Sequence, residues 1–153
     1  MPARTKIWKE ASERFSTLSV ESELKNNTAQ ITIISEDPLS SSTLRSKYFV
    51  YGNGVIRINQ IIEVKDSTVS EIPRFGLKLS MSGEFDQVSW FGRGPHESYW
   101  DRKTSAAIGH YSGSVWEQSF PYVRPQETGN KTDIYWMAVS NGSNGLMAKG
   151  LPT

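Results

Sequence analysis

Short stretches of alternating apolar and polar residues, separated by turn signals, limit the folds open to this chain more than any other feature. Residues 15–24 and 28–35 are the first two such stretches, and Lys25-Asn26-Asn27 lies between them. An apolar residue at every second position gives a strand one face that packs on a core. The turn residues make this pair a predicted β-hairpin.

The same pattern continues along the chain. Gly52-Asn53-Gly54 is a strong turn signal, and further strands are predicted at residues 44–51, 55–65, 74–81, 87–91, 132–140 and 146–149. Residues 7–14 have a short helical face, and no stretch predicts a long helix. Eight or nine short strands at regular spacing favour an antiparallel β-sandwich or barrel.

Amino-acid composition limits the classes of function that are open to this chain. The 153 residues, 37% of them hydrophobic and 22% charged, predict one globular domain over residues 1–153. A net charge of +1 without clusters gives no support for nucleic acid or a membrane surface as a partner. No apolar run reaches the length of a membrane span, and residues 1–6 do not look like a signal peptide. The absence of cysteine removes disulfides, thiolate metal sites and cysteine nucleophiles.

Two blocks, residues 90–103 and 121–130, combine glycine and proline with aromatic and charged residues. This mixture is typical of ordered loops, because glycine and proline fix unusual backbone angles and hold the other side chains in defined places. Arginine matches carboxylates with two parallel hydrogen bonds. We therefore expect the blocks to pack on each other, with Arg93, Arg102 or Arg124 paired to Glu97, Asp101 or Glu127.

These blocks also carry the groups that a sugar site needs. Aromatic faces stack on a pyranose ring, and charged or amide groups bond its hydroxyls. Trp100, Trp116, Tyr99 and Tyr122 offer faces. The predicted substrate-binding residues are His96, Glu97, Trp100, Asp101, Arg124, Glu127 and Asn130, and Gln126 is a further polar candidate. The structural alternative is that the aromatics pack the loops onto the sheet and the charges hold the loop backbone.

No catalytic residue is predicted. Glycoside hydrolysis needs two carboxylates across the scissile bond, and nothing marks Glu97, Asp101 or Glu127 as buried with a raised pKa. A sugar mutarotase would need a histidine acid and a carboxylate base. His96 is next to Glu97, but neighbours in an extended loop point apart. His110 resembles a strand end, and no set of residues has metal-ligand spacing.

The two blocks carry a family resemblance. GRGPHESYWDR at residues 92–102 follows the pattern G-x-G-P-x-E-x-Y-x-D-R, and PYVRPQETG at residues 121–129 follows P-Y-x-x-P-x-E-x-G about twenty residues later. With these motifs the chain resembles the C-terminal, or small-chain, domain of the large bacterial β-galactosidases of glycoside hydrolase family 2. The resemblance extends over the whole chain but only the first part of that domain.

The resemblance implies a galactose mutarotase-like β-supersandwich, of which this chain is an incomplete N-terminal part. It implies a parent protein that hydrolyses terminal β-galactosides such as lactose. The family's catalytic glutamates and its Mg and Na ions belong to a (β/α)₈ barrel, so no catalytic residue, metal site or cofactor is carried over to this chain. The implied partners are the remaining parent domains, a galactoside and further copies of the parent, in the bacterial cytoplasm or periplasm.

Three functions remain open from the sequence. The first is an auxiliary, non-catalytic domain that supports the barrel and helps to shape the substrate pocket. The second is a stand-alone carbohydrate-binding module, and the third is an aldose epimerase that uses His96 or His110. An incomplete sandwich would leave strand edges and an apolar face open, so self-association of the fragment is also expected.

Overall fold

A computed structural model of the protein describes residues 3–150. The chain divides into two compact units, one up to Leu77 and one from Lys78 onward. Each unit contains one four-stranded antiparallel sheet, and helices are few and short. This confirms the predicted all-β, antiparallel class and is consistent with a fragment of a β-sandwich. The galactose mutarotase-like form and the single-domain assignment stay predictions.

The first unit is a β-meander preceded by two short helical segments. A 3₁₀ helix (Ala3–Trp8) and α1 (Ala11–Arg14) come first. The strands follow in sheet order as β1 (Ser16–Lys25), β2 (Thr28–Asp37), β3 (Ser42–Tyr51) and β4 (Ile56–Val64). All four match strands predicted from the alternating pattern, with no end shifted by more than two residues.

The strand register of the first sheet gathers apolar side chains on one face. Val20 pairs with Ile33, Leu24 with Ala29, and Val50 with Ile56, and directly paired residues share a face of a sheet. Val20 is 62% exposed and Leu24 77% exposed. This surface, called the apolar face below, therefore keeps much of its area in contact with solvent.

The second unit has β5 at the centre of its sheet. Its elements are β5 (Gln87–Gly94), β6 (Ala107–Ser114), a 3₁₀ helix (Trp116–Gln118), β7 (Trp136–Ser140) and β8 (Gly145–Lys149), in the sheet order β6-β5-β7-β8. Trp90 on β5 is 1% exposed, and its indole N–H donates to the carbonyl of Arg93 at 2.9 Å. Trp90 is the largest fully buried side chain among the described residues.

Three sequence predictions about secondary structure are wrong. Residues 74–81 form no strand, because their backbone pairs with no neighbouring strand. The first loop block begins inside β5 rather than in a loop. His110 lies in the middle of β6, where it pairs with Phe91, instead of at a strand end.

Gly92 explains why β5 resembles a loop in the sequence. A β-carbon there would approach the carbonyl oxygen of Asp133 to 2.7 Å and the α-carbon of Ile134 to 2.8 Å. The glycine lets the chain that enters β7 pass directly over the strand. The motif glycine therefore serves close packing here rather than a turn.

No helix among residues 3–150 is long and apolar enough to cross a membrane. Met1, Pro2 and residues 151–153 lie outside the described part of the chain. The expectation that this chain is an incomplete N-terminal part of its domain stays a prediction.

Candidate functional site

Two loops of the second unit form the candidate site. The first loop (residues 95–106) connects β5 to β6, and the second loop (residues 119–135) connects the 3₁₀ helix at Trp116–Gln118 to β7. They contain most of the two glycine- and proline-rich blocks. The structure confirms that these loops pack on each other, through the three groups of contacts described next.

Glu97 of the first loop is the main point of contact. Its Oε1 accepts hydrogen bonds from the Tyr122 hydroxyl and from the Arg102 guanidinium, the latter at 3.1 Å. Its Oε2 accepts the Thr128 hydroxyl at 3.2 Å and the Gly129 amide at 2.9 Å. Each carboxylate oxygen thus has two donors, which fills the acceptor sites that a carboxylate offers.

Glu97 is held in its ionised form. Burial of the side chain, which is 14% exposed, opposes ionisation. The hydrogen bonds from Tyr122, Gly129 and Thr128, with the charge of Arg102, outweigh this effect and lower the pKa of Glu97. The same contact raises the pKa of Tyr122, because a phenolate beside Glu97 would lose its hydrogen bond to the carboxylate. A carboxylate in this state is neither a proton donor nor a strong base near neutral pH.

Ser98 makes the second group of contacts and is fully buried. Its amide donates to the Asn130 carbonyl at 2.8 Å, and the Asn130 side-chain amide donates to the Ser98 carbonyl at 2.7 Å. The Ser98 hydroxyl lies 2.9 Å from the Thr132 hydroxyl and accepts the Thr132 amide at 2.9 Å. Asn130, a predicted sugar ligand, therefore has its side chain committed to loop backbone.

A third group of contacts surrounds Asp133 at the end of the second loop. Arg93 Nε lies 2.5 Å from its carboxylate and Lys103 Nζ 3.2 Å from it. Arg93 also donates to the carbonyls of Lys103 and Ala106. The hydrogen bond from Arg93, with further help from Lys103, lowers the pKa of Asp133 against the effect of burial. Of the predicted arginine–carboxylate pairs the structure forms Arg102–Glu97, while Arg93 uses Asp133 instead.

A cavity of about 310 Å³ opens beside these contacts. It is lined by His96, Glu97, Glu117, Phe120, Tyr122 and Lys131, together with Gln118 and Ser119. His96 and Glu97 share this lining although they are adjacent, contrary to the expectation that they point apart. The chain bends at Pro95 and His96 instead of running extended.

The other predicted sugar-binding residues are not part of the cavity lining. Trp100 is 80% exposed, with Lys103 Nζ 4.0 Å from the centre of its ring. Asp101, Arg124 and Glu127 are exposed on the two loops. Two of the seven predicted residues, His96 and Glu97, therefore line this cavity.

Sequence reasoning missed Lys131, Glu117, Phe120 and Ser98. Ser98 lies inside the first motif, between Glu97 and Tyr99, and its place in the motif could have marked it as a site residue. Lys131 directly follows the second block, but nothing in its neighbours indicates burial. Among residues 3–150, no group of three or more histidine, aspartate or glutamate side chains is placed to hold a metal ion.

Fold and site together define an all-β domain whose glycine- and proline-rich loops are joined through an ionised, largely buried glutamate. The family follows from comparison with known proteins: a family model described as "Beta galactosidase small chain" matches residues 2–151. The chain belongs to this β-galactosidase small-chain family, which confirms the resemblance drawn from the two motifs.

Known relatives give the same result. The chain is 40% identical over 158 residues to a protein named "Beta-galactosidase" from Priestia megaterium (strain DSM 319 / IMG 1521), covering 98% of this chain and 14% of the relative. It is 47% identical over 68 residues to a "Beta-galactosidase" from Arthrobacter sp. (strain B7), covering 44% of this chain and 7% of the relative. A "Beta-galactosidase" from Streptococcus thermophilus is 30% identical over 141 residues, or 91% of this chain and 14% of the relative. The chain thus spans a small part of the length of these relatives.

Proposed function

We propose that this chain is an auxiliary, non-catalytic region of a β-galactosidase that hydrolyses terminal β-galactosides such as lactose. It supports the catalytic domain and helps to shape the substrate pocket. The observation that carries the proposal is the match over 98% of this chain to 14% of a protein named β-galactosidase. Glu97 supports the non-catalytic part, because its four donors and lowered pKa leave it unsuited to act as an acid.

The partners in this proposal are the remaining domains of the parent chain, and further copies of the parent in a homo-oligomer. The apolar face of the first sheet supports the need for such partners, since Val20, Leu24 and Ile56 are all more than half exposed. Exposed apolar area of this kind is costly in water and favours a covering surface. The Mg and Na ions that the family resemblance implies would be bound by the parent's barrel domain.

The proposal is tested by assaying a chromogenic β-galactoside with three samples. These are the intact protein that carries this chain, the same protein without it, and the chain alone. We expect turnover by the intact protein and none by the chain alone. Turnover by the purified chain that is abolished in Glu97→Gln would overturn the non-catalytic role.

Carbohydrate binding is a second candidate function. It is supported by the cavity between the two loops, which combines the aromatic rings of Phe120 and Tyr122 with charged and polar groups. An aldose epimerase has less support, although His96 and Glu97 line the same cavity. The lowered pKa of Glu97 makes it a weak base, and both of its oxygens are already occupied.

A further inference from the structure

The outer edge of β4 lacks the features that protect most edge strands from pairing with another molecule. Among residues 3–150, β4 pairs with β3 on one side and with no strand on the other. Its nine residues pair with β3 without a register shift, so the edge carries no bulge. Native edge strands are commonly short, bulged, charged or covered, because their unpaired backbone groups accept strands from other molecules. A long, regular edge is therefore a candidate interaction surface.

The other sheet edges have protection of this kind. β1, at the opposite edge of the first sheet, has a register shift between Thr17 and Ser19 and carries acidic side chains at Glu21 and Glu23. In the second unit, β8 has five residues, and the 3₁₀ helix at Trp116–Gln118 contacts β6. β4 is thus the edge most open to a further strand.

The residues that flank β4 show which of its backbone groups point outward. The Tyr51 amide donates to the Val55 carbonyl at 3.0 Å, and the Lys65 amide donates to the Ser41 carbonyl at 3.1 Å. Backbone groups alternate between the two sides of a strand, so the odd-numbered residues of β4 bond to β3. The N–H and C=O groups at the open edge belong to the even-numbered residues Ile56, Ile58, Gln60, Ile62 and Val64.

The sequence of β4 is complementary to itself when two copies run antiparallel. The register that places Gln60 opposite Gln60 of a second copy also places Arg57 opposite Glu63. In the same register Ile58 lies opposite Ile62. The outward backbone groups of the even-numbered residues then meet as hydrogen-bonded pairs. The backbone and the apolar side chains of β4 therefore fit a second copy of the same strand.

The charges of β4 distinguish this register from its neighbours. Arg57 and Glu63 fall at non-hydrogen-bonded positions, where opposed side chains lie closest. Opposite charges directly across two strands are favourable, whereas like charges there are unfavourable. A slip of two residues would place Arg57 opposite Lys65 or Ile61 instead. The register centred on Gln60 is thus the one that pairs Arg57 with a carboxylate.

We infer that two copies of this chain associate through β4, paired antiparallel around a two-fold axis at Gln60. The pairing joins two four-stranded sheets into one continuous sheet. The axis is perpendicular to the sheet, so both apolar faces lie on the same side, and association through the apolar face is a separate contact. The inference goes beyond the proposed function and holds or fails independently of galactoside hydrolysis.

Charge reversal on the whole 153-residue chain tests the pairing by sedimentation velocity. Arg57→Glu places two carboxylates opposite each other at both ends of the paired strands. We expect the dissociation constant of the dimer to rise about tenfold or more. Arg57→Glu combined with Glu63→Arg restores opposite charges and should restore the dimer. Arg45→Glu, at an exposed position of β3 on the same face, changes the net charge equally and should leave the dimer unchanged.

An introduced cysteine tests the position of the axis, because the chain has no cysteine of its own. Gln60→Cys brings two thiols opposite each other at a Cα separation of about 5.5 Å, which suits a disulfide. Asn59→Cys is the matched control, since its side chain lies on the other face and its copy is displaced along the strand. Under mild oxidation we expect a disulfide-linked dimer from Gln60→Cys and much less from Asn59→Cys.

Each outcome has a definite meaning. A chain that sediments as a monomer up to its solubility limit overturns the inference. Equal association of Arg57→Glu, the double variant and Arg45→Glu also overturns it, because contact through the apolar face is common to all three. If circular dichroism shows that Arg57→Glu fails to fold, the two cysteine variants carry the test, and equal disulfide yields from them overturn the inference. Absence of galactoside hydrolysis by the intact protein would count against the proposed function and would leave these results unaffected.

Discussion

At the scale of single residues, Glu97 is the main contact between the two loops. Glu97→Gln keeps the size of the side chain but removes the charge and turns one acceptor into a donor that faces hydrogen-bond donors. We expect the free energy of unfolding to fall by about 2 kcal/mol, the scale of a hydrogen bond to a charged group. Urea denaturation at pH 7 measures this change. Glu84→Gln, at an exposed loop position of the same unit, is the control, and an equal effect in both variants would contradict the structural role of Glu97.

The lowered pKa of Glu97 also predicts the sign of a pH effect. A carboxyl whose pKa is lower in the folded protein than in the unfolded chain stabilises the fold above the unfolded value. That stabilisation is lost as the pH falls below the ordinary glutamate value of 4.5 and through the lower folded value. Unfolding measured between pH 3 and pH 7 should therefore show a smaller acid loss in Glu97→Gln than in the unaltered protein. Identical pH profiles would argue against the assigned ionisation.

The candidate site was predictable from the sequence only at the level of residue types. Glu97, Arg102 and Tyr122 stand out because they combine charge or aromatic character with glycine- and proline-rich surroundings. The donors from Thr128 and Gly129 lie 31 and 32 residues from Glu97, and no local pattern reports such a distant contact. For the same reason the burial of the Lys131 ammonium became visible only in the structure.

At the scale of elements, an ion pair joins the short helix α1 to the end of β2. Arg14 donates from Nε and Nη2 to the two oxygens of Asp37 at 3.1 and 2.7 Å, and Asp37 is fully buried. The hydrogen bond from Arg14 lowers the pKa of Asp37. We expect Asp37→Asn to cost about 3 kcal/mol, because Arg14 loses its charged partner. Chemical denaturation measures this, and Glu36→Gln on the neighbouring position should have little effect.

Close packing across β5 gives a second prediction for an element. Gly92→Ala would place a methyl group within 2.5 Å of the Ile134 side chain and 2.7 Å of the Asp133 carbonyl oxygen. We expect a loss of about 2 kcal/mol in the free energy of unfolding, as for overpacking a tight core position. Gly83→Ala, where no atom lies within 4 Å, is the control for the general effect of alanine. A thermal melt that places both variants at the same midpoint would refute the packing argument.

The sequence predicted β1 to β4 well because each strand there has a regular alternation and a clear turn beside it. The same rule failed at residues 74–81, where Phe75, Leu77, Leu79 and Met81 alternate but remain exposed. Alternation reports a side-chain pattern, whereas a strand also needs a hydrogen-bonding neighbour. The opposite occurs in β6. Its residues Gly109, Ser112 and Gly113 break the alternating pattern, so the sequence did not predict this strand, which forms because β5 pairs with it.

At the scale of the whole molecule, the apolar face predicts that the isolated chain self-associates. Val20→Lys places a charge on that face, and Glu21→Lys places one on the opposite face of the same edge strand. Both substitutions disturb the strand edge in a similar way. A difference in self-association between the two variants therefore measures the contribution of the apolar face. We expect sedimentation velocity to show weaker association for Val20→Lys than for Glu21→Lys. Equal association would indicate that the strand edge, rather than the face, joins the molecules.

The hydrogen bond between Glu97 and Gly129 makes a single amide proton a reporter of loop detachment. The Gly129 amide is held 2.9 Å from Oε2 of Glu97, so its proton exchanges with deuterated solvent when the second loop comes away from the first. The amides within β5 exchange when the sheet itself opens. Because the two events have separate exchange rates, the free energy of releasing the loop becomes measurable in a protein whose sheet stays intact.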